Sequence, residues 1–258
     1  MLWTVHQHRD EAAGRLLQVA LPEGYGTRDA AYPVLVCLDA QWTFGTVCDV
    51  ALNLGLTRLL PRVIVVGVGW TATSARAVVH ARAAAFTPTT APLPAAVTRS
   101  MAEAPVYGQA DEFLRWLLDT ALPMLEGRYA IDPGERTLIG HSLSGLFGLY
   151  TLFTRPAAFQ RWLLASPSSW WDDRMIFGLE AAQATRAPAS RGRVFLSAGS
   201  EETLIGEIPM VANTREIAAR LAARSDCPCD SRFALLADEL HHSTIPAAVS
   251  RGLRWLYR

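Results

Sequence analysis

The sequence predicts an α/β fold, a mostly parallel central sheet flanked by helices, and three observations carry that prediction. Two continuous apolar runs, Tyr32–Leu38 and Arg62–Gly69, are rich in β-branched residues, as strands buried on both faces are. Strand-like runs alternate with helix-like runs along the chain, which is the pattern of strand–helix–strand units in a parallel sheet. No internal repeat is superimposed on this alternation, which argues against a solenoid or a propeller.

The elements follow in order. Arg15–Leu21 reads as an early strand ended by the turn Pro22-Glu23-Gly24-Tyr25-Gly26. The strand Tyr32–Leu38 comes next, and Phe44 to Leu60 has the length and spacing of one helix before the strand Arg62–Gly69. From Thr71 to Ala110 the texture changes to Ala, Thr, Pro and Arg, and Thr87–Pro94 is its least regular part. A stretch of that kind reads as an irregular, lid-like insertion over a site within a single domain spanning residues 1–258. Order resumes with an amphipathic helix from Asp111 towards Tyr129, then a short apolar strand, Arg136–Ile139, and a helix-like run, Leu146–Tyr150. Arg161–Ser166, Arg193–Gly199 and Arg232–Ala237 complete the strands, with helical patterns over Thr214–Arg224 and Ile245–Tyr257.

Half of the 258 residues are apolar, enough for a sizeable core, and the formal net charge is zero. All 24 basic side chains are arginine, and the neutral balance argues against nucleic acid or an anionic membrane as the main partner. No stretch approaches the ~20 apolar residues of a membrane span. Met1–Val5 is followed at once by His6, Gln7, His8, Arg9 and Asp10, so the chain as written is expected to lack a signal peptide and to be cytoplasmic. Cys37, Cys48, Cys227 and Cys229 do not have the spacing of a four-ligand zinc site and are expected to be structural or free thiols. No metal or cofactor is expected.

Between the strand ending at Ile139 and the following helix stands Gly140-His141-Ser142-Leu143-Ser144-Gly145. A serine between small residues at a strand-to-helix turn reads as a nucleophile elbow, in which a sharp turn lifts the hydroxyl clear of the sheet and only small neighbours avoid a clash. Ser144 stands where the pattern has its second glycine; an ordinary helix N-cap is the alternative reading of these serines. A serine hydroxyl needs a base and an acid that orients the base, and α/β-hydrolases supply them in the order serine, carboxylate, histidine. Only His241 and His242 follow Ser142 in the chain, just past the last strand candidate. Glu202, with Glu201 in reserve, follows the strand ending at Gly199 and is the acid of choice; Asp238 and Glu239, close to the histidines in sequence, have less suitable geometry and stay as further alternatives. The oxyanion formed during acyl transfer calls for backbone N–H donors, for which Leu143, after the serine, and Gln41, after the Tyr32–Leu38 strand, are the candidates.

With these pieces assembled, the chain resembles the putative-esterase branch of the α/β-hydrolases, which includes esterase D and bacterial siderophore trilactone esterases. The resemblance rests on Tyr32–Leu35 through Leu38-Asp39-Ala40, Val65–Val68, Phe86-Thr87-Pro88, Asp111–Leu114, Pro123, Tyr129 and the block Gly140–Leu143. It extends to Ala165-Ser166-Pro167-Ser168-Ser169-Trp170-Trp171 and to His241-His242-Ser243-Thr244-Ile245-Pro246 running into Arg251–Arg254. Ala40 and Ser144 stand where the family has glycine, and Ala85 where it has aspartate. The resemblance implies an α/β-hydrolase fold and makes His241 the base, with His242 at a variable position.

Trp42, Trp70, Trp170 and Trp171 all follow strand candidates, on the side where a pocket should lie, and are read as substrate-binding aromatics; core packing is the alternative for each. Arg82, with Arg76 and Arg99 in the same irregular stretch, is suited to an anionic substrate; a solvated side chain is the alternative for each. The expected activity is a serine esterase that hydrolyses a carboxylic ester or lactone through a covalent acyl-enzyme. The substrate would be a small-molecule siderophore-type trilactone or depsipeptide, or a small aryl or acyl ester, and the protein a monomer or homodimer. An acyltransferase or cyclising thioesterase would use the same nucleophile, and a non-catalytic binding protein could use the same fold.

Overall fold

The two edge strands of the sheet are the most exposed, and the strands between them are largely buried. In the computed structural model, which describes residues 3–27, 30–91, 105–184, 192–203, 207–224 and 230–258, eight strands form one sheet. They are β1 (Trp3–Asp10), β2 (Arg15–Pro22), β3 (Tyr32–Leu38), β4 (Ile64–Trp70), β5 (Ile131–His141), β6 (Arg161–Ala165), β7 (Arg193–Gly199) and β8 (Asp230–Leu236), in the spatial order β1-β2-β4-β3-β5-β6-β7-β8. β2 runs antiparallel to β1 and β4, while all pairs from β4 to β8 are parallel. Every residue of β4 is buried, as are nearly all of β3 and β7, because helices cover both faces.

α1 (Ala40–Leu56) and α8 (Thr244–Leu256) cover one face, burying Val47, Ala51, Val249 and Leu253 against Leu35, Val65 and Leu163. The other face carries α2 (Ala75–Phe86), α3 (Ala110–Trp116), α4 (Leu122–Glu126), α5 (Leu143–Thr154), α6 (Trp171–Ala184) and α7 (Met210–Ala223) over the larger apolar cluster. The chain leaves β3 for β4 on one side and returns to β5 on the other. Such a reversal opens a crevice at the carboxyl ends of the strands, and the ends of β3 and β5 both face it.

Several elements differ from the sequence expectation for identifiable reasons. β1 was not expected, because its polar residues, on an edge strand that is exposed over much of its length, hide the pattern. α1 begins at Ala40 rather than Phe44: Asp39 turns the chain at φ 57°, and the Thr43 hydroxyl donates to the Leu38 carbonyl at 2.7 Å. The Thr71–Ala110 stretch is not irregular throughout, since Ala75–Phe86 is α2, started by Ser74, whose hydroxyl accepts from the Ala77 N–H. Alanine favours helix but supplies little apolar periodicity to read. Residues 92–104, including Arg99, and the Cys227/Cys229 pair lie outside the described residues. The expected helix from Asp111 towards Tyr129 is divided into α3, a π-turn over Leu117–Ala121 and α4, where Pro123 sits in the first turn and lacks the N–H that a continuous α-helix requires. Cys37 and Cys48 are buried free thiols, and burial raises the Cys48 pKa to about 12.

Candidate active site

Ser142 lies at the tip of β5 with φ 60° and ψ −119°, a conformation that non-glycine residues rarely adopt and that the surrounding structure must hold in place. Glycine at 140 makes the turn possible, since a Cβ there would stand 2.3 Å from the Ser144 carbonyl oxygen. Ser144, the departure from the usual glycine, is fully buried and closes the turn. Its hydroxyl accepts from the His141 N–H at 2.9 Å and donates to the His141 carbonyl at 2.8 Å. Ser142 stands at the N-cap position of α5, but its side chain makes no cap hydrogen bond.

Three expected residues meet in one hydrogen-bonded chain. His241 Nε2 is 3.0 Å from Ser142 Oγ, and His241 Nδ1 is 2.8 Å from Glu202 Oε2. Glu202 is completely buried, and its other oxygen accepts from the Ser166 hydroxyl at 2.7 Å and from the Gly199 N–H at 2.8 Å. Burial alone would raise the pKa of this carboxyl group, but the hydrogen bonds from His241, Gly199 and Ser166 outweigh it and hold the group below the usual carboxylate range. An ionised Glu202 requires the His241 proton on Nδ1, which leaves Nε2 to accept from the Ser142 hydroxyl. Glu201, the reserve, is turned to solvent on the single turn Ser200–Glu202, where its N–H donates to the Glu239 carbonyl.

His141 has a position that the sequence did not suggest. It is buried, and its Nε2–H donates to the His241 carbonyl at 2.7 Å, tying the histidine loop to the elbow. Burial, then the charge of a protonated His241, keeps its pKa well below the ordinary 6.5, with Arg82 and His242 adding to the effect. Between the folded and unfolded values, the unfolded chain binds a proton that the folded chain refuses. The stability contributed here is therefore complete above pH 6.5 and is lost as pH falls, by at most about 1.4 kcal/mol per pH unit. Urea unfolding at pH 7.5 and 5.5 should show a smaller pH-dependent loss in His141→Gln than in the wild type, by roughly 1 kcal/mol; equal slopes would contradict this assignment.

The two oxyanion candidates lie in the first turns of helices that follow neighbouring strands, Leu143 in α5 and Gln41 in α1, where backbone N–H groups have no intrahelical acceptor. The Gln41 side chain is held elsewhere, its Nε2 donating to the Trp70 carbonyl at 3.1 Å. Ser142, Ser168, His241 and His242 face a cavity of about 270 Å³ whose walls are mainly apolar, including Leu143, Tyr107, Trp170, Ile208 and Met210. A second hollow of about 320 Å³ also reaches Ser142 and is lined by Asp39, Trp42, His141 and Ile245. Arg82 borders both hollows and is already paired, its Nε and Nη2 donating to the two Asp39 oxygens at 3.0 and 2.8 Å. Burial disfavours the Arg82 charge, but the adjacent Asp39 more than restores it.

Of the four tryptophans, Trp170 lines the first cavity, and Trp42, 49 % exposed, lines the second. Trp70 and Trp171 are corrections, because both are core residues. Trp70 is 2 % exposed at the end of β4, where its ring packs edge-on against Phe86 and beneath the Arg15 guanidinium, 4.4 Å away. Trp171 is 1 % exposed behind the cavity wall, its ring 5.0 Å from that of Tyr107 and its indole N–H donating to Thr89. Trp70 is the last residue of β4 and Trp171 comes after β6, but a place near the end of a strand does not reveal which way the side chain points. Sequence reading also assigned no role to His141, Ser166 or Ser168. The Ser166-Pro167-Ser168 run was the visible signal for the last two.

The family model described as "Putative esterase" matches residues 14–226, a span that contains Ser142 and Glu202 and ends before His241. The ferri-bacillibactin esterase BesA of Bacillus subtilis (strain 168) is 34% identical over 232 residues, covering 88% of this chain and 79% of that protein. The crystal structure of the BES protein from Bacillus cereus superposes with a TM-score of 0.82 at 27% identity, covering 100% of this chain and 97% of that one. The siderophore hydrolase EstA from Aspergillus nidulans shares the fold, with a TM-score of 0.84 at 23% identity over 99% of this chain and 94% of its own. The chain therefore belongs to the Putative esterase family and is a carboxylic ester hydrolase on the α/β-hydrolase fold.

Proposed function

We propose that the protein is a serine esterase that works through a covalent acyl-enzyme, and that its substrate is a siderophore-type ester or lactone. The observation that carries the reading is the continuous chain Ser142–His241–Glu202, whose hydroxyl end opens into a mainly apolar cavity. In this reading His241 Nε2 takes the Ser142 proton as Oγ attacks the ester carbonyl, and the backbone amides of Leu143 and Gln41 receive the oxyanion. His241 then gives its proton to the departing alcohol. Water attacks the acyl-enzyme by the same route, with Glu202 holding the imidazole in the required tautomer throughout.

The substrate class is supported by what the relatives are named for, ferri-bacillibactin in Bacillus subtilis and siderophores in Aspergillus nidulans. Trp42 and Trp170, one in each hollow beside Ser142, suit aryl groups. Arg82 contributes less net charge than a free guanidinium would, because Asp39 neutralises it. The α2 segment, with Arg82 and Ala83 on the cavity, acts as one wall of the substrate entrance. A turnover panel tests the assignment: trilactone siderophores with and without iron are compared with p-nitrophenyl acetate and butyrate, using Ser142→Ala as the blank. Trilactone hydrolysis should exceed that of the simple esters in kcat/KM. Turnover of the simple esters alone would remove the siderophore assignment, and turnover of none would remove the esterase.

A further inference from the structure

The turn after β6 touches the site at two points. Ser166, fully buried at φ 44°, donates to Glu202, and two residues later Ser168 Oγ lies 3.4 Å from Ser142 Oγ. Backbone contacts hold the turn against the elbow: the Ser142 N–H donates to the Ala165 carbonyl at 3.1 Å, and the Ser168 N–H donates to the Ser142 carbonyl at 3.0 Å. Gly145 permits the approach, since a Cβ there would lie 2.9 Å from Pro167 Cα. Ser168 is 2 % exposed, borders the cavity and, among the described residues, has Ser142 Oγ as the one hydrogen-bond partner of its hydroxyl.

The direction of that contact follows from the neighbouring one. The Ser142 hydroxyl gives its proton to His241 Nε2, so toward Ser168 it can only accept, and Ser168 must donate. We propose that Ser168 is a catalytic residue, whose hydroxyl donates to Ser142 Oγ while that oxygen leaves the acyl group, so that it serves deacylation more than acylation. The inference rests on Ser142 being the nucleophile.

The asymmetry comes from how the oxygen changes in each half-reaction. Before acylation, Ser142 Oγ is a hydroxyl that already accepts from Ser168, so the transition state gains only the difference between two similar hydrogen bonds. In the acyl-enzyme, Oγ is the bridging oxygen of an ester and a poor acceptor. Water then adds to the acyl carbon and gives its proton to His241 Nε2. The carbon–Oγ bond breaks, the electron pair stays on Oγ, and the Nε2 proton follows it as the free acid departs. During that cleavage Oγ gathers charge, and the Ser168 donor gains a hydrogen bond that the acyl-enzyme lacked. A contact of 3.4 Å in an unliganded site is long, and catalytic hydrogen bonds of this kind tighten as charge develops.

The test is stopped-flow hydrolysis of p-nitrophenyl acetate in excess over Ser168→Ala and wild-type enzyme. The burst rate reads acylation and the linear phase reads deacylation. The variant should acylate within about threefold of wild type but turn over about tenfold more slowly, so that acyl-enzyme accumulates. Its KM should fall with kcat and leave kcat/KM nearly unchanged. A fluorophosphonate should label Ser142 within about threefold of the wild-type rate, which also establishes that the variant has folded with an intact elbow. Parallel slowing of burst and linear phases, or no change in either, overturns the proposal. If the probe fails to label Ser142 in the wild type, the nucleophile assignment itself has failed, which is a separate result.

Discussion

Ser142→Ala is expected to lower kcat/KM for p-nitrophenyl butyrate by about 10⁴- to 10⁶-fold, to the level that binding and backbone donors sustain without a nucleophile. Little else should change. Residue 142 keeps its positive φ through contacts of the turn, namely the Gly140–Ser144 approach and the two Ser144–His141 hydrogen bonds, none of which uses the Ser142 hydroxyl. The substitution removes one exchange with His241 and the contact with Ser168, so the unfolding midpoint should stay within a few degrees of wild type. A fluorophosphonate should label the wild type at this residue and leave the variant unlabelled. Full hydrolysis by the variant, or labelling at another serine, would place the nucleophile elsewhere.

Glu202→Gln has the second-largest expected effect, a fall in kcat of about 10³- to 10⁴-fold. The carboxylate oxygen facing His241 Nδ1 accepts, and the other accepts from Ser166 and Gly199. In glutamine one position becomes an NH₂ donor. If the amide oxygen stays with Ser166 and Gly199, the NH₂ confronts Nδ1 and drives the imidazole proton to Nε2, where it can no longer accept from Ser142. Glu202→Ala should be as inactive and in addition less stable by about 1–3 kcal/mol, because the buried Ser166 hydroxyl and Gly199 N–H lose their acceptor. Comparing the two variants by kcat and by urea unfolding separates the catalytic role from the structural one. Activity within tenfold of wild type in both would show that this histidine works without its acid.

The elements that were legible are those whose whole environment is written in consecutive residues. Tyr32–Leu38 and Arg193–Gly199 are mostly apolar and buried because both faces are covered, and their observed limits coincide with the expected strands. α2 was not legible because alanine marks helix by propensity and leaves no stripe, and β1 was not because an edge strand exposed over much of its length carries polar residues where an apolar run would show. Within the site, chain order singled out Ser142, Glu202 and the His241–His242 pair, the family resemblance chose His241 of the two, and the structure brings Ser142, Glu202 and His241 together. The contacts around them could not be chosen that way. His141 reaches the His241 carbonyl across 100 positions of sequence, and Trp70, the last residue of β4, turns into the core. Such contacts depend on the direction of a side chain, and a one-dimensional pattern does not record it.

The order of strands across the sheet also determines when the site can exist. The serine comes from the centre, at the end of β5; the acid follows β7; and the histidine follows β8 at the edge. During synthesis from the N-terminus, the central strands can pair and the elbow can form long before residue 241 leaves the ribosome. In the reading proposed here, a nascent chain therefore carries its nucleophile without a base. Folding of β8 and α8 around His241 brings the base to that nucleophile, so in this reading esterase activity reports that this part of the sheet has assembled.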